Sequence, residues 1–403
     1  MNVAIVETSE QQGALIAAVE RAERIALDTE FHAERSYAAR LMVLQLVVGE
    51  DVFIVDPLKL RDLAPLAQAL ASRTIVGHAL QSDLRIFADR FDVLPRAAFD
   101  TQLAAAFCGY GVAISLADLV HDLVHVRLRK SQTVSDWSTR PFTDQQIEYL
   151  VDDVRHLFTL EDQLRAKLVA LGRLEWFEEE ARPLVDLARY RPDPERVYMR
   201  IPGALRMTRR ELGILRELAQ LRDELARERD VPPKYIIPDD VMSGIVHIRP
   251  RTKDELSQLR RLDAGLRKAF GERIVEAVAA GVALDENSLP AKPSRPPGAD
   301  REAIVSCLNV LVNAIATEHD IPPSMLSPRA ALERLARELP ESAEEVARVL
   351  EASPWRAHLV AEPLAELLRG DVALAISGAR AGTPRVRRVD LHPNSKAHAK
   401  TEP

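Results

Sequence analysis

Only two cysteines, Cys108 and Cys307, occur in 403 residues. That count excludes a disulfide framework or a cysteine-based zinc site, and both thiols are expected to be buried. No run of eighteen apolar residues is present, which removes a membrane-spanning helix. The first ten residues carry Glu7 and Glu10 where a secretory signal would need basic residues and an apolar run, so a cytoplasmic protein is expected. Hydrophobic residues make up 47% and charged residues 29%, which speaks against wholesale disorder, a collagen-like repeat or a coiled-coil rod. The length allows two to four domains, at roughly 100–200 residues each.

A basic excess is also missing: the net charge is -7. Its distribution is uneven. Lys and Arg counted against Asp and Glu give -7 over residues 1–170, +5 over 200–270 and -5 over 300–370. An acidic front suits divalent cations and a basic middle suits a polyanion, although surface charge also serves solubility.

Residues 1–170 read as an α/β domain. Ile25–Phe31, Leu41–Val48 and Val52–Val55 are strand-like, with a short turn at 49–51, and predict an antiparallel meander. Arg61–Ser72 has helical spacing, Thr74–Gly77 is a short buried strand, and Gln81–Asp89 reads as a helix. Strand signals then fade into long charged helical patterns such as Arg209–Arg229. The expected order is an α/β domain (1–170), a helical linker (171–208), a helical unit (209–285), a linker with four prolines between Pro290 and Pro297 (286–299), a second helical unit (300–376) and a disordered basic tail (377–403). The two units share a pattern: Glu228-Arg229-Asp230-Val231-Pro232-Pro233 returns as Glu318-His319-Asp320-Ile321-Pro322-Pro323. Each copy follows an apolar-periodic helix, so we read tandem helical bundles; two copies are too few for a solenoid.

Four carboxylates have convergent requirements. Asp28 and Glu30 lie two apart on a predicted strand, so they share one face while Leu27 and Thr29 point away. Two anions on one face suit either a bound cation or a solvated strand end. Asp83 falls in the first turn of the helix after Gly77, where the helix dipole alone would favour it; His78 beside it reads equally as a packed histidine. In the segment 147–157, Ile147, Leu150, Val151, Val154 and Leu157 form an apolar stripe, and Tyr149 and Asp153 neighbour each other at i and i+4. Asp152, turned about 100° from Asp153, should face solvent. His121 and His125 are also at i and i+4, but no Glu follows His121, so no zinc helix is expected.

Asp28, Glu30, Asp83, Tyr149 and Asp153, in that order, resemble the three exonuclease motifs of the DEDD superfamily, in its tyrosine subgroup. The segments Leu27–Phe31, Phe99–Phe107, Lys130-Ser131, Ser135–Trp137 and Arg140-Pro141 resemble the ribonuclease D family more specifically. The repeated helical block is similar to the helicase-and-ribonuclease-D C-terminal (HRDC) domain. The resemblance implies a ribonuclease H-like α/β domain, a mixed sheet flanked by helices, followed by two all-α HRDC-like bundles. It implies metal-dependent 3′→5′ hydrolysis of RNA to nucleoside 5′-monophosphates, with tRNA precursors carrying 3′ extensions as the substrate class. Two divalent ions, Mg²⁺ or Mn²⁺, would be held by Asp28, Glu30, Asp83 and Asp153, with Asp28 bridging and Tyr149 orienting the attacking water. No obligate protein partner and no membrane is implied. For RNA contact the expected residues are Phe31, His78, Trp137 and Arg140 near the motifs, and Arg209 and Arg210 in the first helical unit. Gln45, Phe31 and His78 suit core or supporting roles as well, and Trp137 could anchor its loop instead of stacking on a base. The competing readings are a 3′→5′ DNA exonuclease and a nucleic-acid-binding scaffold with an inactive nuclease domain.

Overall fold

The fold is described from a computed structural model, over residues 2–128, 136–191, 193–259, 261–292, 299–378 and 385–391. Lys130, Ser131, Ser135, Arg260, the centre of the proline-rich linker, Arg380, Lys396 and Lys400 lie outside the described residues.

Six strands form the front sheet: β1 (Val3–Val6), β2 (Arg24–His32), β3 (Arg40–Val48), β4 (Asp51–Val55), β5 (Thr74–Gly77) and β6 (Ala97–Asp100). Their spatial order is β1-β4-β3-β2-β5-β6. The expected meander β2-β3-β4 is antiparallel, while β1, β5 and β6 join in parallel. Strand β3 buries seven successive residues, Leu41–Val47, because the sheet is covered on both faces there and its strand reads as a continuous apolar run. β1 and β6 escaped the sequence reading: each has four residues, and β6 contains two alanines with little strand preference.

Helices α1 (Ser9–Arg21), α2 (Ala64–Ala71), α3 (Gln81–Phe91), α4 (Thr101–Phe107), α5 (Leu116–Val124), α6 (Asp144–Arg155), α7 (Leu157–Ala170) and α8 (Leu174–Ala181) complete this region. α6 crosses β2, β3 and β4. The stripe expected over 147–157 is buried from Leu150 on, with Ile147 half-buried, but it is not one helix: the chain turns at His156, and Leu157 opens α7. After the short α9 (Pro194–Val197), the first helical unit comprises α10 (Arg209–Arg229), α11 (Pro233–Ile236), α12 (Asp239–Ile248) and α13 (Ala264–Ala283). The second repeats it as α14 (Ala299–Glu318), α15 (Pro323–Leu326), α16 (Arg329–Glu338), α17 (Ala343–Leu350) and α18 (Pro354–Arg369). The repeated hexapeptide has one backbone form in both copies. Asp230 and Asp320 end their helices at φ +49° and +46°, and the Pro-Pro pair starts the next short helix.

Two expectations need correction. The tail is partly ordered: β7 (Val372–Ser377) and β8 (Arg385–Asp390) pair antiparallel. Low apolar content concealed Val386 and Val389 between the arginines, and Arg388 is fixed 2.8 Å from Glu366. Cys307 is exposed on α14, whereas Cys108 is buried. The expected tandem helical units are both present, and they differ in placement. The second shares one hydrophobic core with the front sheet, while the first has a core of its own. Trp355 of α18 seals the shared core, 5.2 Å from both the Phe107 and Trp176 rings, and its indole donates to Glu180.

Candidate active site

Strand β2 supplies the first two acids. Asp28 and Glu30 alternate with buried Leu27 and Thr29, and Asp28 lies opposite Gln45 of β3. A strand irregularity follows between Glu30 and Phe31 and shifts the register, so that Phe31 pairs with Leu41 and His32 with Arg40.

The second acid-bearing segment is built by a carboxylate of a different kind. Asp100 accepts from the backbone N–H groups of Ala79, Leu80, Gln102 and Leu103, which caps α4 and fixes the turn leading into α3. That turn carries Ala79 at φ +57° and follows Gly77, where a Cβ would stand 2.9 Å from the Leu27 carbonyl of β2. The close approach of β5 to β2 places the first turn of α3 beside the acidic strand. Asp83 there is 6% exposed and accepts a 2.5 Å hydrogen bond from the Thr29 hydroxyl. Thr29 does leave the Asp28 face as alternation predicts, yet it holds the third acid.

Helix α6 supplies the rest. Thr143 and Gln146 form a reciprocal cap at its start, and Leu150, Val151 and Val154 are buried against the sheet. This orientation turns Tyr149 and Asp153 to the site, with the Tyr149 hydroxyl donating to Asp153. Asp152, expected in solvent, is only partly exposed and pairs with Arg155 at 2.7 Å. Ahead of α6, Trp137 is 7% exposed; its indole hydrogen-bonds Glu30 and its ring lies 5.7 Å from that of Tyr149.

Asp28, Glu30 and Asp153 each offer a carboxylate oxygen within 4.8 Å of the others, the one such group among the described residues. Asp83, held by Thr29, stands outside that trio but is close enough to act on it electrostatically. Burial and this crowding of like charge push the acids toward their neutral forms. Asp28 is raised well above the usual carboxylate range, first by burial and then by Asp83, Asp153 and Glu30. Burial pushes Glu30 up to about 8, and Asp83 and Asp153 each up to about 7. Burial and the same anions raise the Tyr149 hydroxyl, so it is a donor at neutral pH. The arrangement can therefore bind hard cations through oxygen, or retain protons when none is bound.

The structure does not leave all the expected RNA contacts available. Arg140 spends all five N–H donors inside the protein: two on Asp56 (2.6 and 2.9 Å), one on the Met42 carbonyl and two on the Trp137 and Thr139 carbonyls. It pins the loop to the sheet. Trp137 is likewise covered, and serves Glu30 instead of a base. His78 has both ring nitrogens engaged, with Thr101 at 2.9 Å and the Ile114 carbonyl at 3.0 Å. Arg209 bonds the carbonyls of Glu286, Leu289 and Pro290, and Arg210 those of Val282 and Leu284 plus the Glu286 carboxylate, fastening α10 to the end of its own unit. Phe31 lies half-buried against the front core. Sequence reasoning missed both the grip of Thr29 on Asp83 and the capping role of Asp100; Asp100 just before Thr101 at a helix start was the signal that could have found the cap.

Comparison with known proteins agrees with this architecture. The family model described as 3′-5′ exonuclease matches residues 3–169, and the HRDC domain model matches 211–278 and 301–368. The ribonuclease D of Gluconacetobacter diazotrophicus is 34% identical over 93% of this chain and 95% of its own length. That of Granulibacter bethesdensis is 34% identical over 93% and 94%. The crystal structure of Escherichia coli RNase D, an exoribonuclease involved in structured RNA processing, superimposes with a TM-score of 0.79 at 29% identity, covering 92% of this chain and 99% of that one. A chain that matches these enzymes end to end, through the nuclease domain and both helical repeats, belongs to the ribonuclease D family of 3′–5′ exoribonucleases.

Proposed function

We propose that the chain is a cytoplasmic, divalent-metal-dependent exonuclease that shortens RNA from the 3′ end to nucleoside 5′-monophosphates, with 3′-extended tRNA precursors as its substrate class. The observation that carries the reading is the trio Asp28, Glu30 and Asp153, gathered within 4.8 Å and joined by the nearby Asp83. Buried acids at such spacing repel unless protonated or bridged by cations, and an all-carboxylate donor set fits Mg²⁺ or Mn²⁺. When bound, a pair of such ions supplies water activation and stabilises charge on the leaving 3′-oxygen.

The chain's own residues have separable parts. Asp28, Glu30 and Asp153 are the ligand trio, and Asp83 completes the set from the Thr29 side. Trp137 keeps the Glu30 carboxylate from turning, and Tyr149 does the same for Asp153. Because its hydroxyl stays protonated at neutral pH, Tyr149 orients the attacking water and does not act as the base. Phe31, next to the acids and half-buried, offers an aromatic surface to the terminal base. The RNA body is held by the first HRDC unit together with the segment leading into it, where residues 200–270 sum to +5 and Arg206 and Lys268 are exposed. No helix among the described residues is long and apolar enough to cross a membrane.

The test is release of nucleoside monophosphates from a 3′-tailed RNA by wild type and Asp28→Ala, with Mg²⁺, Mn²⁺ or EDTA, beside a matched DNA strand. Stepwise metal-dependent shortening of RNA that is lost in the variant is expected. Faster digestion of DNA, or binding without turnover, would sink the proposal.

A further inference from the structure

Each acid of the site except one has a side-chain donor. Glu30 has the Trp137 indole, Asp153 the Tyr149 hydroxyl and Asp83 the Thr29 hydroxyl. Asp28 has none among the described residues. Directly across from it, as its register partner on β3, stands Gln45. Opposed residues of an antiparallel pair project from the same face, so the Gln45 side chain leaves the sheet on the side of Asp28, under α6.

Gln45 is 0% exposed, and neither its Nε2 nor its Oε1 has a hydrogen-bond partner. No other side chain among the described residues has two such atoms. Its neighbours along β3, from Leu41 to Val47, are all hydrophobic. A buried carboxamide without partners is disfavoured relative to an apolar side chain of similar volume, which would fill the same space. A donor without an acceptor therefore faces an acid without a side-chain donor. Carboxylates that ligate metals are ordinarily held by such an outer hydrogen bond.

We propose that Gln45 is a positioning residue for the metal centre, its amide N–H donating to Asp28 and holding that carboxylate in the orientation in which it binds cations. The assignment rests on the metal-dependent reading above. It gives Gln45 no contact with RNA, since the side chain is sealed from solvent.

The experiment compares the full-length wild type with Gln45→Met, which keeps volume and removes the amide, by Mn²⁺ titration calorimetry and by thermal unfolding in EDTA. Gln45→Leu supplies the same comparison should the methionine variant not fold. We expect Mn²⁺ affinity to fall about 10-fold or more, the usual effect of removing a residue that supports a ligand. The melting temperature in EDTA should hold or rise, because the lost hydrogen bond to Asp28 is offset by burying an apolar side chain in place of a carboxamide whose oxygen has no partner. A structural role alone predicts the opposite pattern: unchanged Mn²⁺ affinity and a lower melting temperature, which would overturn the proposal. A wild type that binds no Mn²⁺ would overturn the metal-dependent reading as well, so the two failures are distinguishable.

Discussion

Replacing Asp83 by Asn should stabilise the metal-free protein at pH 8 and leave it unchanged at pH 4. The side chains are nearly isosteric, and an Asn oxygen still accepts from Thr29, so the difference isolates charge. Asp83 is buried and its carboxyl is pushed from its ordinary value of 3.8 up to about 7, first by desolvation. A folded-state value above the unfolded one means stability present at low pH and lost as pH rises through the window from about 4 to about 7. At about 1.4 kcal/mol for each tenfold change in proton affinity, the rise amounts to about 4 kcal/mol. Local relaxation and water entry make that a ceiling, so about 2–4 kcal/mol is expected. The assay is urea unfolding in EDTA at pH 4, 6 and 8, comparing variant with wild type at each pH. In Mn²⁺ the order should reverse, because wild type gains ligand-linked stability that the variant partly forfeits. A variant less stable than wild type at pH 8 in EDTA, or an equal gain at pH 4 and 8, would refute the argument that burying the Asp83 charge stresses this site.

Arg140→Met should cost about 3–5 kcal/mol of stability by leaving Asp56, 0% exposed, as an unpaired buried charge; Arg140→Lys should not restore it, and an unaltered unfolding curve with weaker RNA binding would return Arg140 to the phosphate. Trp137→Phe removes the donor to Glu30 while keeping an aromatic ring, so kcat on a short RNA should fall about 10-fold with KM nearly unchanged; a change confined to KM would favour base stacking. Tyr37, in the loop after β2, bonds Asp223 at 2.7 Å and Arg227 at 2.8 Å on α10, and its ring lies 5.1 Å below the Arg227 guanidinium. Tyr37→Ala should therefore loosen the first HRDC unit from the nuclease domain, seen as faster proteolysis around residues 190–208 with the melting of each core retained; unchanged proteolysis would show that the linker alone holds the unit.

What could be seen in the sequence was local periodicity. Period-two alternation put Asp28 and Glu30 on one face, and helical geometry chose Asp153 over Asp152. What could not be seen was the use to which neighbours distant in sequence put each polar group. Arg140 next to a nuclease motif looks like a phosphate ligand until Asp56, 84 positions away, is found beneath it. Arg209 and Arg210 look free until the carbonyls at the end of α13 fold back onto them. Asp152 escaped solvent by pairing with its own helix, and the basic tail escaped disorder through a strand pairing that a count of apolar residues does not detect.

The two helical repeats show how composition becomes placement. Their backbones stop and restart at the same Asp-(Val/Ile)-Pro-Pro junction, so sequence pattern alone assigns them one role. Charge and surface divide them. The copy with a sum of -5 is packed into the nuclease core through Trp355, with Arg356 bonded 2.8 Å from Glu180 and Arg173 reaching the His319 carbonyl. A polyanion would gain little from an acidic module, and burying one face of it against the nuclease sacrifices no binding surface. The first copy, which together with the segment leading into it sums to +5 over residues 200–270, keeps a separate core and meets the nuclease domain through the polar contacts of Tyr37, in the loop that leaves the strand of Asp28 and Glu30. Polar, hydratable contacts of this kind are the ones that can be broken and remade at small cost. The first module, with the basic segment leading into it, is thus the one whose docking can adjust to the body of an RNA while the acidic one stiffens the frame that holds the carboxylates.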